Sequence, residues 1–230
     1  MKTVIIYGTE RKGSTYNVVQ LFKSSLKISD ITEISLPKNM PCFCVGCNNC
    51  FMKGEEFCPH EEYVTPIKNA LRDAELIILA SPTYVLHVTA QMKAFIDHFA
   101  FQFMAHRPEK SMFRKKALVV STVGAAGMRP AIKYLVSCLN HWGISQVFTL
   151  GAATGADWDN ITPKKKVKIQ QKVNTISHRI ISSNIKSSLK TKAMFNLFRM
   201  LHKKFEFIAY DKEYWKKQGW LDRSRPWNSK

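Results

Sequence analysis

Five short apolar runs, each containing β-branched residues, alternate with segments of helix length along most of this 230-residue chain. We predict strands at Val4–Tyr7, Ile31–Leu36, Leu76–Ala80, Ala117–Ser121 and Gln146–Leu150. Predicted helices lie between and after them, at Thr15–Leu26, Tyr63–Asp73, Thr89–Phe103, Arg129–Trp142 and from Lys164 to about Ser183. Continuous apolar runs are typical of strands buried on both faces of a parallel sheet, so the alternation predicts helices on both sides of one sheet.

The expected α/β architecture is a doubly wound five-stranded parallel sheet with the flavodoxin-like strand order 2-1-3-4-5. Ligands of such sheets bind outside the carboxyl ends of the strands. The loops after strands one, three and four are therefore the places to look for function.

The loop after strand one, Gly8–Tyr16, has the composition of an anion site. Free N–H groups and the positive end of the dipole at a helix N-terminus favour an anion, and hydroxyl donors with an arginine complete a phosphate cup. The simpler alternative is that Ser14 or Thr15 only caps the helix. The candidate phosphate ligands are Thr9, Arg11, Gly13, Ser14 and Thr15.

The loops after strands three and four offer a slot for a flat ring. Pro82, Thr83, Tyr84 and Val85 follow strand three, and Gly124 lies in the small-residue stretch after strand four, where backbone can approach a ligand closely. Each loop alone is also compatible with an ordinary βα turn. Together with the phosphate cup, they predict an FMN site.

The balance of basic and acidic residues changes near Thr162. Residues 1–159 contain 17 Lys and Arg against 13 Asp and Glu, whereas residues 160–230 contain 18 against 4. We predict an FMN-binding domain over residues 1–160 and a basic helical C-terminal extension over residues 161–230, which packs on the domain or on a sister subunit. A stripe from Met194 through Leu197, Phe198, Leu201 and Phe205 to Ile208 predicts the buried face of one helix there. The basic charge also permits binding to anionic lipid, nucleic acid or an anionic small molecule.

The segment at residues 42–58 contains five of the six cysteines. The spacing Cys44-x2-Cys47-x2-Cys50-x7-Cys58 is close to the compact runs that bind four-iron clusters, so we predict a [4Fe–4S] cluster on these four thiolates, with Cys42 as the spare. Unoccupied cysteines, zinc, for which His60 could replace one thiolate, and a disulfide remain as alternatives. Cys138 is expected to be a packing residue.

The chain resembles the NADPH-dependent FMN reductase superfamily and, within it, the iron-sulfur flavoprotein group. The phosphate loop Gly8–Thr15, the cysteine segment, Ser81–Tyr84 and the glycine stretch 124–127 carry the resemblance, in this order. It implies a flavodoxin-like fold, non-covalent FMN, a homodimer or homotetramer, and electron transfer from a reduced donor. It departs from the usual Gly-Ser-Pro-Arg loop because Thr9 and Glu10 stand in place of Ser-Pro.

These patterns predict an enzyme: an NAD(P)H-dependent FMN oxidoreductase that passes electrons to an acceptor through the adjacent cluster, without a catalytic side chain. The donor is NAD(P)H or a reduced carrier protein. A clusterless reductase of FMN, quinones or nitro compounds and a non-catalytic electron carrier are the alternatives. No nucleic acid partner is expected, membrane association through the basic extension is the less favoured possibility, and we expect a cytoplasmic protein because the first residues do not have the pattern of a signal peptide.

Overall fold

All five strands lie parallel in one sheet, in the order β2-β1-β3-β4-β5. The structure, a computed structural model, describes residues 1–155 and 157–228. The strands are β1 (Thr3–Tyr7), β2 (Ile31–Ser35), β3 (Leu76–Ala80), β4 (Lys116–Val123) and β5 (Gln146–Ala153). The predicted doubly wound sheet and its strand order are therefore confirmed.

The α-helices follow the predicted alternation, with additional helices in the cysteine segment and near the C-terminus. They are α1 (Ser14–Leu26), α2 (Asn49–Met52), α3 (Glu61–Asp73), α4 (Ala90–His98), α5 (Met128–His141), α6 (Pro163–Ser182), α7 (Leu189–Lys204) and α8 (Ala209–Lys217). The helix predicted over Thr89–Phe103 is shorter, because α4 ends at His98 and a 3-10 turn, Ala100–Gln102, follows. Phe99 and Phe101 are both buried. In a continued α-helix these two side chains would point about 200° apart, to nearly opposite faces, so both could not pack into the same layer.

Two hydrophobic layers cover the sheet. On one face, α3, α4 and α5 pack on strand residues such as Val4 and Ile6. On the other face, α1 and α6 pack on residues such as Ile5 and Ile78. Alternate residues of each central strand thus enter opposite layers, which explains why these strands are apolar without interruption.

Helices α7 and α8 form a third hydrophobic cluster with the segment before β4. Phe195, Trp215 and Trp220 are fully buried there against Met104 and Phe113. The C-terminal extension thus packs on the same chain that carries the sheet. In the part of the chain that the structure describes, no helix is both long and apolar enough to cross a lipid bilayer.

The predicted apolar stripe of the extension is confirmed only in part: Met194 and Phe198 are half-buried and pack on the third hydrophobic cluster. The residues of α7 that are buried are Thr191, Phe195 and His202, whereas Leu197 is 49% exposed. The helix ends at Lys204, so Phe205 and Ile208 lie outside it. Trp215 of α8 and Trp220 after it pack against α7, and this packing determines which face of α7 is buried. The sequence of α7 alone does not indicate it.

Candidate functional site

The loops after β1, β3, β4 and β5 surround one cleft at the carboxyl ends of the strands. Of the ten residues predicted to bind FMN, nine line this cleft: Thr9, Arg11, Gly13, Ser14, Thr15, Pro82, Thr83, Tyr84 and Gly124. Val85 does not. Thr122, Val123, Thr154 and Gly155 also line it and were missed, although their position at the ends of β4 and β5 follows from the rule that locates ligands at this rim.

The N-terminus of α1 opens into the cleft without a side-chain cap. Gly13 occupies the N-cap position, and the Ser14 hydroxyl oxygen is buried without a hydrogen-bond partner. The Thr15 hydroxyl forms a hydrogen bond with the Thr122 hydroxyl, 2.7 Å away, and does not cap the helix. The capping alternative is therefore wrong for both hydroxyls. The N–H groups of the first helical turn and one buried hydroxyl remain available to an anion in the cleft.

Arg11 lies at the mouth of the cleft and forms an ion pair with Asp157. Its Nη2 is 2.5 Å from Asp157 Oδ1, and both side chains are more than half exposed. Asp157 follows β5 and lies 146 residues away in sequence, so the sequence pattern of the loop did not reveal it. A carboxylate at this position competes with a phosphate for the Arg11 guanidinium.

Hydrogen bonds connect the rim of the cleft to the sheet and to α4. Thr89 caps α4 by accepting from Met92 N–H, and its hydroxyl donates to the carbonyl of Gly8 at 2.6 Å. A Cβ on Gly8 would meet that same hydroxyl oxygen at 2.8 Å, so only glycine fits this approach. Thr83 N–H donates to the Thr122 carbonyl. Contacts within the protein thus hold the loops in place.

The loop after β3 forms a tight hairpin at the edge of the cleft. The backbones of Tyr84 and His87 pair with each other, and the two residues between them, Val85 and Leu86, have φ values of 46° and 65°. Non-glycine residues in this region are strained, and β-branched residues most of all. Val85 is 97% exposed at the tip. Leu86 lies so close to Gly127 that a Cβ on Gly127 would meet it at 2.7 Å.

The cysteine loop brings the four predicted ligands near one another. Burial is the main cause that raises the pKa of the Cys50 thiol to about 11, and the nearby thiols of Cys44, Cys58 and Cys47 contribute. Burial also raises the pKa of Cys58, with contributions from Cys47 and Cys44. Four cysteine thiolates are the donor set that a [4Fe–4S] cluster requires, so the residues fit such a group.

Arg107 anchors the cysteine loop to the body of the protein. This arginine is buried, and its Nη2 donates to the carbonyl of Cys50 and, at 3.2 Å, to Glu55 Oε2. Gly54, with a φ of 126°, is the N-cap of the 3-10 turn Glu55–Phe57, and Cys58 directly follows this turn. Arg107 thus holds the loop before the turn, at Cys50, and at the first residue of the turn, Glu55. The sequence pattern did not indicate Arg107 as part of the site.

Comparison with known proteins agrees with this geometry. Residues 1–159 match the family described as NADPH-dependent FMN reductase. The chain is 32% identical over 151 residues to an iron-sulfur flavoprotein of Archaeoglobus fulgidus, covering 64% of this chain and 66% of that protein. It is 31% identical over 99 residues to an FMN-dependent NADH:quinone oxidoreductase of Burkholderia pseudomallei, covering 38% and 50%. The matches therefore span about two thirds and half of these relatives' own lengths.

Among solved structures, the fold is similar to that of an azoreductase from Bacillus anthracis. The TM-score is 0.61 at 16% sequence identity, over 78% of this chain and all of that one. This likeness concerns the fold alone. The family match, in contrast, extends over the whole sheet and every loop of the cleft up to Asp159. The chain therefore belongs to the NADPH-dependent FMN reductase family.

Proposed function

We propose that this oxidoreductase binds FMN in the cleft at the carboxyl ends of β1, β3 and β4, with the FMN phosphate at the N-terminus of α1. The observation that carries the proposal is the buried Ser14 hydroxyl without a partner, since burying an unsatisfied polar group is costly unless a ligand satisfies it. Gly13, Thr9 and Thr15 border the same end of the cleft.

The flavin ring would lie along the other half of the cleft. Pro82, Thr83 and Tyr84 line it on one side and Gly124 on the other. Thr83 is held by its hydrogen bonds to the Thr122 carbonyl and to the Ser121 hydroxyl at 3.0 Å, so contacts within the protein fix this wall. Val85 would contribute only through the hairpin that it shares with Tyr84.

We propose no catalytic side chain. When bound, FMN supplies the hydride and single-electron chemistry, and the protein supplies position and electrostatics. The residues of the cleft would hold the ring beside a solvent-exposed opening that admits NAD(P)H or a reduced carrier protein as donor. The exposed Tyr84 and Gly124 border this opening.

We further propose that Cys44, Cys47, Cys50 and Cys58 bind a [4Fe–4S] cluster that receives electrons one at a time. Burial is the main reason why the pKa of the Cys50 thiol is raised, and the further contributions of Cys44, Cys58 and Cys47 to that pKa support their being close to Cys50. The name of the archaeal relative, an iron-sulfur flavoprotein, supports the same assignment.

The test is to purify the chain anaerobically and to measure flavin, iron and acid-labile sulfide. We expect one FMN and about four iron and four sulfide per chain, as the cluster type requires. Cys47→Ala should lose most of the iron and retain FMN, whereas Cys42→Ala should retain both. Stoichiometric zinc in place of iron, or no metal after anaerobic reconstitution, would contradict the cluster.

A clusterless NAD(P)H-dependent reductase of FMN, quinones or nitro compounds is the second candidate. Cys44 and Cys47 are exposed, and a relative is named as an FMN-dependent NADH:quinone oxidoreductase. Under this alternative, Cys47→Ala oxidises NAD(P)H with an unchanged rate. If the purified protein with FMN bound oxidises no NAD(P)H at all, a carrier role replaces both enzymatic candidates.

We propose the reducing cytoplasm as the setting, because exposed thiols such as Cys44 and Cys47 persist there. A homodimer or homotetramer and a small-molecule or protein electron acceptor complete the proposal. Light scattering of the purified chain tests the oligomeric state directly. No nucleic acid partner is proposed, and binding of the basic extension to anionic vesicles remains the alternative use of its charge.

A further inference from the structure

Three side chains from separate elements meet behind the cysteine loop. Cys58 follows the 3-10 turn Glu55–Phe57, His60 precedes α3, and His98 is the last residue of α4. The sulfur of Cys58 and one ring nitrogen of each histidine all lie within 4.8 Å of one another. Cys58 and His60 are half-buried, and His98 is only 4% exposed.

The ring of His98 is already oriented as in a metal ligand. Its Nδ1 lies 2.8 Å from the carbonyl oxygen of Ala94, which can only accept, so Nδ1 carries the proton. Its Nε2 lone pair therefore points at His60, whose Nδ1 is 2.9 Å away. Histidines that bind metals almost always donate their other N–H to a carbonyl or carboxylate in this way.

The spacing suits a small tetrahedral ion. Zinc lies about 2.0–2.1 Å from nitrogen and about 2.3 Å from sulfur, so its donor atoms are roughly 3.3–3.7 Å apart. The two nitrogens here are 2.9 Å apart and no two of the three donor atoms are more than 4.8 Å apart, so small side-chain rotations reach that spacing. The Cys58 thiol would release its proton on binding, and His60 would keep one proton, moved from Nδ1 to Nε2.

We propose that, in a chain that holds no cluster, Cys58 Sγ, His60 Nδ1 and His98 Nε2 form a Zn²⁺ site with a fourth position open to water. One thiolate with two imidazoles is a donor set that zinc favours. The site goes beyond the proposed function and does not depend on FMN. The Zn²⁺ site and the four-cysteine cluster both need the sulfur of Cys58. One chain can therefore hold either the Zn²⁺ or the cluster, but not both.

The test uses the full chain with its flavin, stripped of metal by a chelator under reducing conditions. Zn²⁺ is titrated in competition with a chromophoric chelator, and Co²⁺ serves as a probe of thiolate coordination by its charge-transfer absorption. The background is the double variant Cys44→Ser, Cys47→Ser, which removes two cluster ligands and leaves the proposed site intact. We expect one high-affinity Zn²⁺ per chain and a cobalt–thiolate band in this variant.

The decisive substitution in that background is His98→Gln. Loss of a direct ligand should weaken Zn²⁺ binding by at least about 100-fold, more than the 10–100-fold that loss of an outer partner costs. His141→Gln is the matched control, because His141 ends α5 and its Nδ1 lies 2.8 Å from the Ser137 carbonyl in the same way, outside the cysteine loop. Its Zn²⁺ affinity should be unchanged.

Two further measurements keep the result interpretable. If His98→Gln does not fold by circular dichroism, the half-buried His60→Gln replaces it, with the same expected loss. In the wild-type chain, Zn²⁺ added before iron and sulfide should block cluster reconstitution, and His98→Gln should relieve the block. Retention of Zn²⁺ affinity within threefold in the histidine variant, or its loss in the Cys44→Ser, Cys47→Ser background, would overturn the proposal.

Discussion

Arg107 and Asp211 form a buried ion pair between the segment before β4 and the C-terminal extension. Their side chains are 4% and 1% exposed, and Arg107 Nη1 donates to Asp211 Oδ1. His106 Nδ1 contacts the other carboxylate oxygen at 2.7 Å. Since Arg107 also donates to the carbonyl of Cys50, the extension and the cysteine loop share one anchor.

Asp211→Asn should destabilise the protein strongly. Breaking a buried pair from one side costs about 3–5 kcal/mol, and here Glu55, 3.2 Å from Arg107 Nη2, compensates only part of the charge that Asp211 balances. We expect a loss of this order in the free energy of urea unfolding, together with faster proteolysis near Cys50. Glu206→Gln removes a carboxylate from an exposed pair of the same extension and should stay within about 0.5 kcal/mol. Equal effects of the two substitutions would contradict a shared anchor.

Arg11 and Asp157 should affect FMN affinity in opposite directions. Arg11→Ala removes a charge-assisted contact worth about 1.5–3 kcal/mol and should weaken FMN binding roughly ten- to a hundredfold. Asp157→Asn removes the carboxylate that competes for Arg11 and should strengthen binding several-fold. The exposed Asp159→Asn, from the same loop, is the control and should change little. Isothermal titration of the flavin-free protein measures all three, and weaker binding by Asp157→Asn would contradict the competition.

Ser14→Ala should raise the stability of the flavin-free protein while lowering its FMN affinity. The substitution removes a buried hydroxyl without a partner, which is worth about 1 kcal/mol, and the same hydroxyl is our proposed phosphate donor. FMN binding should weaken about tenfold or more. Ser177→Ala is the matched control, since its hydroxyl is also buried without a partner, within α6. It should raise stability and leave FMN binding unchanged; a parallel response of both variants toward FMN would remove Ser14 from the site.

The hairpin that follows β3 should become more stable when its strain is relieved. Leu86 has a φ of 65°, a region in which a non-glycine residue costs of order 1–3 kcal/mol. Leu86→Gly should therefore raise the free energy of unfolding by about 1 kcal/mol, whereas Leu86→Ala retains the strained backbone and should not. Urea unfolding compares the two. If alanine stabilises as much as glycine, the side chain and not the backbone is the source of the effect.

The sequence predicts those parts of this molecule that depend on local patterns. Buried parallel strands are apolar along their length, so β1 and β3 could be recognised, and the rule for ligands at strand ends located the loops that contain Ser14 and Thr83. The predicted strands β4 and β5 were too short at their carboxyl ends. The polar Thr122 and the small residues 151–153 interrupt the apolar runs, although the strands continue to Val123 and Ala153.

Pairings between distant residues could not be predicted. His60 and His98 are 38 residues apart, and Arg107 and Asp211 are 104 apart, so no local spacing connects them. The incorrect part of the predicted stripe on α7 has the same origin. Apolar periodicity indicated Leu197, but Trp215 selects the face with Phe195 and His202, a polar residue that the pattern of apolar positions omits.

His202 should make the protein sensitive to mild acid. It is 6% exposed, its Nε2 lies 3.0 Å from the Ala105 carbonyl, and its ring packs on Trp215. Burial lowers the pKa of His202 below the ordinary value of 6.5. In the unfolded chain the residue takes up a proton as the pH falls below about 6.5, and in the folded chain only at lower pH. Stability is therefore fully present above pH 6.5 and decreases as the pH falls toward the folded pKa.

His202→Gln should flatten this dependence while preserving a donor to Ala105. One proton bound by the unfolded state alone corresponds to a slope of up to about 1.4 kcal/mol per pH unit, so urea unfolding between pH 7 and pH 5 resolves the difference. The exposed His178→Gln, on α6, is the control and should retain the slope of the wild type. His98, whose pKa burial also lowers, contributes to the wild-type slope in the same direction and remains in both variants. The packing account of His202 is wrong if its substitution leaves the slope unchanged, because a buried neutral histidine must lose stability on charging.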